Sequence, residues 1–209
     1  MSKVRDFVYA VLAGVSISIG GAVYLSVDNK AVGALLFSVG LFTVCAFGLN
    51  LFTGKVCYWP GKGAAYGGWL ALVWLGNLAG AEVTGLLLRA TRTGAALAEK
   101  AAGLCETKLG DSLPSIFLLA VFCNMLIYIA VENYRSNPHE LGKYLGIVFG
   151  VVVFILCGFE HCVANMFYFA VANVWSGKTA LYLLVMTAGN TAGGLVFPLC
   201  ARLGIKNKN

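Results

Sequence analysis

The sequence predicts an all-α integral membrane protein with six transmembrane helices, arranged as a 3+3 inverted repeat with broken second and fifth helices. Three observations predict this fold class. The 209 residues are 59% hydrophobic and 11% charged, with a mean hydropathy of +0.82, whereas soluble domains carry roughly 25% charged residues. Long uncharged segments alternate with short polar connections. One five-residue motif occurs twice, once in each half of the chain.

Six apolar segments have the length that a transmembrane helix needs, which is about 20 residues for a hydrocarbon core of about 30 Å. The first is longer than the apolar region of a signal peptide, so we expect it to be retained. Glu160 and His161 interrupt the fifth, and since neither part can span alone, we expect one helix broken at 158–163. The chain forms a single transmembrane domain, 1–209, with expected spans at residues 7–27, 31–54, 66–88, 112–134, 141–177 and 179–201.

Positive charge in short loops marks the cytoplasmic side of a membrane protein. With the N-terminus inside, the outer short loops carry two basic residues, Lys30 and Lys178, and the inner segments carry nine. The connection between the third and fourth spans adds four on the outer side, but long loops weigh least in this rule. We therefore expect both termini to be cytoplasmic and the protein to lie in the bilayer of the cell (inner) membrane. The inner basic residues are Lys3, Arg5, Lys55, Lys62, Arg135, Lys143, Arg202, Lys206 and Lys208.

The positions of the polar residues exclude several function classes. The net charge of +6 is spread over loops and termini, so we expect no nucleic-acid partner. Six of the seven cysteines lie in or beside apolar segments and none forms a CxxC pair, which is typical of small buried hydrophobic residues. A membrane-embedded metalloenzyme would need three or four converging ligands, and one histidine, one glutamate and scattered cysteines do not supply them. We expect no cofactor, no metal and no enzymatic activity.

The repeated motif has the pattern G-N-x-A-G and places Asn77 and Asn190 113 residues apart (190 − 77 = 113). Each copy lies in the last span of a group of three. Because three is odd, the second group enters the membrane from the opposite side, and such inverted repeats place a pathway near the pseudo-two-fold axis. The alternative is that the glycine pairs are only helix-packing faces.

The repeat also predicts where the working residues lie, because the second span of each half should correspond. Residues 48–55 and 158–166 both put glycine and polar residues well past the middle of a span. Irregular backbone at membrane depth is tolerated only where it is buried in protein or faces water. We therefore expect two re-entrant breaks that face each other across a pore, supported by Asn50, Glu160 and Asn165.

His161 is the histidine that lies inside an apolar segment. It can lend a proton to a weak-acid anion or donate a hydrogen bond to it, and the alternative is that it only ties loop carbonyls together. Thr53, at the matching break, offers a hydroxyl to the same centre. Large apolar residues nearby can exclude hydrated ions through the cost of dewetting, or else can simply pack against lipid and other helices. The candidates for these constrictions are Leu51, Phe52, Phe154, Phe37 and Leu41.

The sequence resembles the formate/nitrite transporter family. Residues 51–54 (LFTG) are similar to its second-span loop motif, residues 158–166 (GFEHCVANM) to its G-[FY]-E-H-x-V-A-N-M signature, and Gly189-Asn190 with Gly193-Gly194 to its last-span motif. The resemblance implies an aquaporin-like protomer with its own pore, a homopentamer, and transport of small monovalent anions such as formate, nitrite or hydrosulfide. It also implies that Thr53 and His161 form the central polar pair, that Asn190 supports it, and that constrictions are lined by Leu51, Phe52 and Phe154.

The sequence departs from this resemblance at one position. The family usually places a lysine five residues before the asparagine of the pair that matches Cys123-Asn124, where it draws anions into the vestibule. The residue at that position is Leu119, and Lys55, two residues past Thr53, is a candidate to replace the lysine. The alternative function within transport is an aquaporin-like channel for small neutral solutes, although the sequence has no N-P-A triplet.

Overall fold

The structure, a computed structural model, describes residues 2–204, and within that range every regular element is an α-helix. The prediction of an all-α protein is therefore confirmed. Lys206 and Lys208, which we counted among the inner basic residues, lie outside the described residues. The helices are α1 (Lys3–Ser26), α2 (Lys30–Ala46), α3 (Phe52–Val56), α4 (Gly63–Arg89), α5 (Gly94–Gly110), α6 (Leu113–Ser136), α7 (Glu140–Leu156), α8 (Cys162–Ala172) and α9 (Gly177–Gly204).

Four of these helices, α1, α4, α6 and α9, are long and apolar enough to cross a membrane by themselves. They contain between 24 and 28 residues, more than the about 20 that a span requires. The second and fifth spans each consist of two shorter helices. Residues 47–51 separate α2 from α3, and residues 157–161 separate α7 from α8. The predicted plan of six spans, with the second and fifth broken, is confirmed.

The two halves of the chain follow the same plan. α1 and α6 each have 24 residues, α2 and α7 each have 17, and the members of each pair start 110 residues apart (113 − 3 and 140 − 30). Gly48 and Gly158, also 110 apart, turn the chain at the two breaks with φ angles of +64° and +69°, a region that glycine adopts without steric cost. The predicted repeat is therefore present in the helix bounds.

The motif glycines are contact points between the first and last helix of each half. Gly80 of α4 packs against the carbonyl of Val11 in α1, and Gly193 of α9 packs against the carbonyl of Val121 in α6. Small residues at these points let the helix backbones approach closely. The motif glycines therefore do pack helices together, as the alternative interpretation held. They also belong to a repeat, because the same packing contact occurs in both halves.

We expect Gly80→Ala and Gly193→Ala each to lower the temperature of thermal unfolding in detergent. A Cβ atom at either position would overlap a backbone carbonyl, and such overpacking costs about 1–3 kcal/mol. Gly103→Ala on α5 is the matched control, because a Cβ atom there meets no atom within 4 Å and alanine favours the helix. Equal unfolding temperatures in the three variants would contradict this account of the packing.

The connection between α4 and α6 contains a helix, whereas the sequence analysis interpreted it as a long loop. α5 has 17 residues, and its buried Leu97, Ala101 and Cys105 recur every fourth position on the side that packs against α8. Because this stripe is narrow and polar residues surround it, no apolar segment reveals the helix. On the exposed face, Lys100 lies 2.8 Å from Asp28, and this hydrogen bond holds the pKa of the Asp28 carboxyl below its ordinary value.

Candidate functional site

The two breaks meet at Thr53 and His161. Thr53 is the second residue of α3 and His161 is the N-cap residue of α8, so each side chain lies at a helix start beside a break. The Thr53 Oγ1 and His161 Nε2 atoms are 2.9 Å apart, and both side chains are buried. The structure therefore brings together the two polar residues that the sequence analysis placed at one centre, one from each half of the chain.

The hydrogen bonds of the His161 ring indicate its protonation. Its Nδ1 atom accepts a hydrogen bond of 3.1 Å from the backbone N–H of Ala164, so in the neutral ring the proton is on Nε2. Nε2 then donates to Thr53, and the Thr53 hydroxyl keeps its own proton for another acceptor. A second ring proton would break the bond to Ala164 and place positive charge at the positive end of the α8 dipole. This geometry favours a neutral histidine that donates a hydrogen bond.

Asn190 in α9 holds the second break in place. Its side-chain amide donates hydrogen bonds of 2.8 Å to the carbonyls of Ala120 and Glu160, and its Oδ1 atom accepts one of 2.8 Å from the backbone N–H of Cys162. Buried backbone groups need partners wherever the helical pattern stops. Asn190 supplies those partners and joins α6, α9 and the break.

Asn77 in α4 makes the same three hydrogen bonds in the first half. It donates to the carbonyls of Ala10 and Asn50, at 2.8 and 2.9 Å, and accepts from the backbone N–H of Phe52 at 2.8 Å. Each partner precedes its counterpart around Asn190 by 110 residues (120 − 10, 160 − 50 and 162 − 52). The repeated motif thus contains the residue that fixes each break. Of the two motif asparagines, the sequence analysis gave a supporting role to Asn190 but not to Asn77.

Asn124 links the two halves and was not among the predicted site residues. Its side-chain amide donates to the carbonyl of Thr53 at 3.1 Å and to that of Asn190 at 2.7 Å. The residue 110 positions earlier is Gly14, which packs directly against the carbonyl of Asn77. An amide inside the apolar fourth span was the available signal, because a buried amide needs hydrogen-bond partners.

The three predicted loop-supporting residues each contact a break or belong to one. The Glu160 Oε2 atom lies 2.6 Å from the Nζ atom of Lys108 and accepts a hydrogen bond of 2.8 Å from Asn165 Nδ2. Asn50 donates from its side chain to a carbonyl of α1 at 3.2 Å. Because Glu160 is buried, its carboxylate depends on these partners. Sequence reasoning missed Lys108 because it lies in the supposed loop.

Two cavities approach the Thr53–His161 pair from opposite ends of the helix bundle. The first, which we name the Lys108 vestibule, has a volume of about 220 Å³ and includes His161 in its wall. It lies near the start of α2. The second, the Lys55 vestibule, has a volume of about 340 Å³, contains Lys55 and lies near the end of α2. Lys55 therefore faces the opposite end of the bundle from Lys108.

Apolar side chains surround the central pair. Phe154 lines the Lys108 vestibule, and its ring lies against the His161 ring with centroids 5.8 Å apart. Phe37 packs edge-on against Phe154 at a centroid distance of 5.9 Å. Leu51 is buried and lines the Lys55 vestibule, and Leu41 is buried in the core. Of the five predicted constriction residues, Phe154 lines the Lys108 vestibule and Leu51 lines the Lys55 vestibule.

The Phe52 side chain lines neither of the two vestibules. Its side chain lines an apolar cavity of about 410 Å³ between α3, α4 and α9, together with Trp74 and Leu184. Leu51 is the extended N-cap residue of α3 and Phe52 is its first helical residue, and the two side chains line different cavities. Phe52 thus lines a different cavity from Leu51 and Phe154, and its role in a constriction stays a prediction.

The buried Thr53–His161 pair lies beside the apolar side chains of Leu51 and Phe154, which line the two vestibules. In the described part of the chain, no three histidine, cysteine, aspartate or glutamate side chains come together as metal ligands. The Thr53 hydroxyl and the His161 ring offer hydrogen bonds.

Comparison with known proteins identifies the family. The family profile described as formate/nitrite transporter matches residues 1–203. The chain belongs to the formate/nitrite transporter family. This member is 32% identical to the "Probable formate transporter" of Methanothermobacter thermautotrophicus, an alignment that covers 94% of this chain and 86% of the relative. It is 30% identical to "Formate channel FocB" of Escherichia coli (strain K12), with 79% of this chain and 66% of the relative covered.

A solved structure described as "Pentameric formate channel with formate bound" has the same fold. Its TM-score to this member of the formate/nitrite transporter family is 0.86 at 26% identity, over 99% of this chain and 98% of the other. The family consists of transporters and channels, so the prediction of a transport protein rather than an enzyme is confirmed. Family membership and the long apolar helices also establish a multi-pass membrane protein.

Proposed function

We propose that this member of the formate/nitrite transporter family is a channel for small monovalent anions of weak acids, such as formate, nitrite or hydrosulfide. The observation that carries the proposal is the buried Thr53–His161 pair between two vestibules that each contain a lysine. The names of the relatives, a formate transporter and a formate channel, and the formate-bound structure with this fold support the same substrate class.

An anion that reaches either vestibule first meets positive charge. Lys55 lies in one wall and Lys108 in the other. Beyond them, Leu51 and Phe154 make the path apolar, so a hydrated ion must lose water there at a large free-energy cost. The Thr53 hydroxyl proton is then available at the centre, and the His161 N–H group, which otherwise donates to Thr53, exchanges that partner for the anion. These hydrogen bonds offset part of the cost for a small acceptor such as a carboxylate.

His161 acts in this proposal as a hydrogen-bond donor rather than as a proton donor. Its Nδ1 atom is occupied by the Ala164 N–H group, and the α8 dipole opposes a second ring proton. If permeation is coupled to protons, the proton then reaches the anion from water in a vestibule. The neutral acid formed in that way crosses an apolar segment at a lower cost than its anion.

The proposed assembly is a homopentamer in the cell (inner) membrane, with both termini cytoplasmic. The pentamer is supported by the similar fold of a pentameric channel. Thr53 and His161 belong to one chain, so each protomer carries its own pore. The orientation is supported by the excess of basic residues in the inner segments, and it makes the Lys55 vestibule the cytoplasmic one.

Flux measurements in proteoliposomes test this function. We expect formate, nitrite and hydrosulfide each to cross faster than in protein-free liposomes, and glycerol to cross no faster. Glycerol or water flux without anion flux would overturn the proposal and would instead support an aquaporin-like channel for small neutral solutes.

A further inference from the structure

We infer that the Lys55 vestibule contains an anion-binding site of its own, formed by Lys55 and Arg135 and separate from the Thr53–His161 pair. The inference rests on the proposed function. The ligand is a small monovalent carboxylate or other oxyanion that enters from this end of the helix bundle. Both cations line the cavity, Lys55 from α3 and Arg135 from the end of α6, so the site draws on both halves of the chain.

The backbone of Lys55 is fixed at the end of α3. Its N–H group donates to the carbonyl of Leu51 at 2.9 Å, and its carbonyl accepts a hydrogen bond of 2.9 Å from the Tyr66 hydroxyl. Leu51 and Tyr58, which lie about one helical turn before and after Lys55, line the same cavity. The half-buried Lys55 side chain is therefore held at the wall of the vestibule.

The charge of Lys55 is not neutralised by the protein. In the part of the chain that the structure describes, its Nζ atom has no carboxylate partner, and every ion pair involves other residues. The carboxylate of Asp6, the acidic residue of α1, accepts a hydrogen bond from Trp69 and does not line the cavity. A charge that is partly removed from water is stabilised by a counter-ion. An anion in the vestibule supplies that partner.

Arg135 adds hydrogen-bond donors to the same cavity. Its Nε and Nη2 atoms donate to the two carboxylate oxygens of Glu132, at 3.1 and 2.6 Å. Within residues 2–204 its Nη1 group makes no hydrogen bond, and the side chain is 64% exposed, so these N–H groups are accessible. Because Glu132 neutralises Arg135, Lys55 supplies the net charge of the site, and this charge matches a monovalent anion.

The rest of the lining contains no competing anion. The other titratable groups in the described lining are the thiol of Cys45 and the phenols of Tyr58 and Tyr134, and the Tyr58 hydroxyl donates to Glu132 at 2.7 Å. Positive charge in a cavity with apolar walls raises the local concentration of anions. The apolar walls are formed by Val44, Leu49, Leu51 and Val131.

The repeat shows that this site is not a copy of the opposite vestibule. The residue 110 positions after Lys55 is Asn165 (165 − 55 = 110), and the residue 110 positions before Glu160 is Asn50 (160 − 50 = 110). The second break therefore carries a carboxylate and an amide at these two positions, whereas the first carries an amide and a cation. The charge at the first break thus has the opposite sign, which is what an anion site requires.

Four variants separate a local site from a general effect of charge. Lys55→Met removes the cation and should leave thermal stability unchanged, because Lys55 has no ion-pair partner among the described residues. Lys55→Arg keeps a cation at the same place. Lys62→Met is the matched control, because Lys62 lies over the Tyr66 ring at 4.4 Å and does not line the vestibule. Arg135→Gln/Glu132→Gln removes the second donor without leaving Glu132 unpaired.

The measurement is formate uptake as a function of formate concentration, in right-side-out and inside-out vesicles from cells without another formate transporter. We expect Lys55→Met to raise the half-saturating concentration about tenfold in one vesicle orientation, as for loss of one hydrogen bond to a charged group. That orientation is the one in which formate enters through the Lys55 vestibule. Arg135→Gln/Glu132→Gln should raise it in the same orientation, whereas Lys55→Arg and Lys62→Met should stay near wild type.

The sidedness of the effect distinguishes this site from the central pair. A defect at Thr53 or His161 should change uptake in both orientations, because every permeating anion passes the centre. Wild-type half-saturation in Lys55→Met, an equal rise in both orientations, or an equal rise in Lys62→Met would overturn the inference and leave the proposed function intact. No anion flux through the wild-type protein would overturn both.

Discussion

The substitution Asn190→Leu should strongly destabilise the protein and abolish anion flux. Leucine has a similar branched shape but removes three buried hydrogen bonds, which leaves the carbonyls of Ala120 and Glu160 and the N–H group of Cys162 without their partner. Each unsatisfied buried group costs about 1–3 kcal/mol, so the total is large relative to a net stability of about 5–15 kcal/mol. Thermal unfolding in detergent and formate flux in liposomes measure the two effects.

The neighbouring Thr191→Val is the matched control for this prediction. Among residues 2–204, the Thr191 hydroxyl bonds only the carbonyl of Thr187 in its own helix, so its loss removes no hydrogen bond from the break. Because Asn77 makes the corresponding bonds in the first half, Asn77→Leu should behave like Asn190→Leu. If either leucine variant has the same unfolding temperature and the same formate flux as Thr191→Val, the proposed role of the two asparagines is wrong.

The substitution His161→Phe should reduce formate flux by about tenfold to a hundredfold, the loss expected when one hydrogen bond to a charged group disappears. Phenylalanine fills the ring space beside Phe154 but cannot donate toward Thr53 or accept from Ala164. The measurement is formate flux in proteoliposomes at two pH values, with protein density and thermal stability checked in parallel.

His161→Asn separates hydrogen-bond donation from proton donation. Asparagine is a good N-cap residue for α8 and offers N–H groups, but it cannot release a proton at ordinary pH. We therefore expect flux well above that of His161→Phe and a pH dependence like that of the wild type. If His161→Asn is as inactive as His161→Phe while remaining folded, His161 is a proton donor and the neutral-donor mechanism is wrong.

Much of this architecture follows from local pattern. The two G-N-x-A-G motifs predict an inverted repeat, because a second group of spans that follows an odd number of spans must enter the membrane from the opposite side. The matching helix bounds of the two halves confirm the repeat. Glycine and polar residues at 48–55 and 158–166 predict the two breaks for the reason that irregular backbone must be buried. The structure also brings Thr53 and His161 together, as the corresponding positions of the breaks suggest.

Other features depend on long-range packing that no local pattern contains. Lys108 lies 52 positions before Glu160 in the chain, and only the packing of α5 on α8 brings their charged atoms to 2.6 Å. α5 itself was interpreted as a loop because its buried residues (Gly94, Leu97, Ala101 and Cys105) are too widely spaced to produce an apolar segment. The hydrogen-bond partners of Asn77 and Asn190 likewise could not be predicted from the sequence, because they depend on which helix packs against each asparagine.

The origin of the central pair in two different halves has a consequence for biogenesis. Thr53 follows the first break and His161 ends the second, and the residues at the corresponding positions of the other half, Val163 and Leu51, are apolar. Neither half alone contains the pair. A chain whose two halves have been inserted but have not yet docked therefore lacks the assembled Thr53–His161 pair.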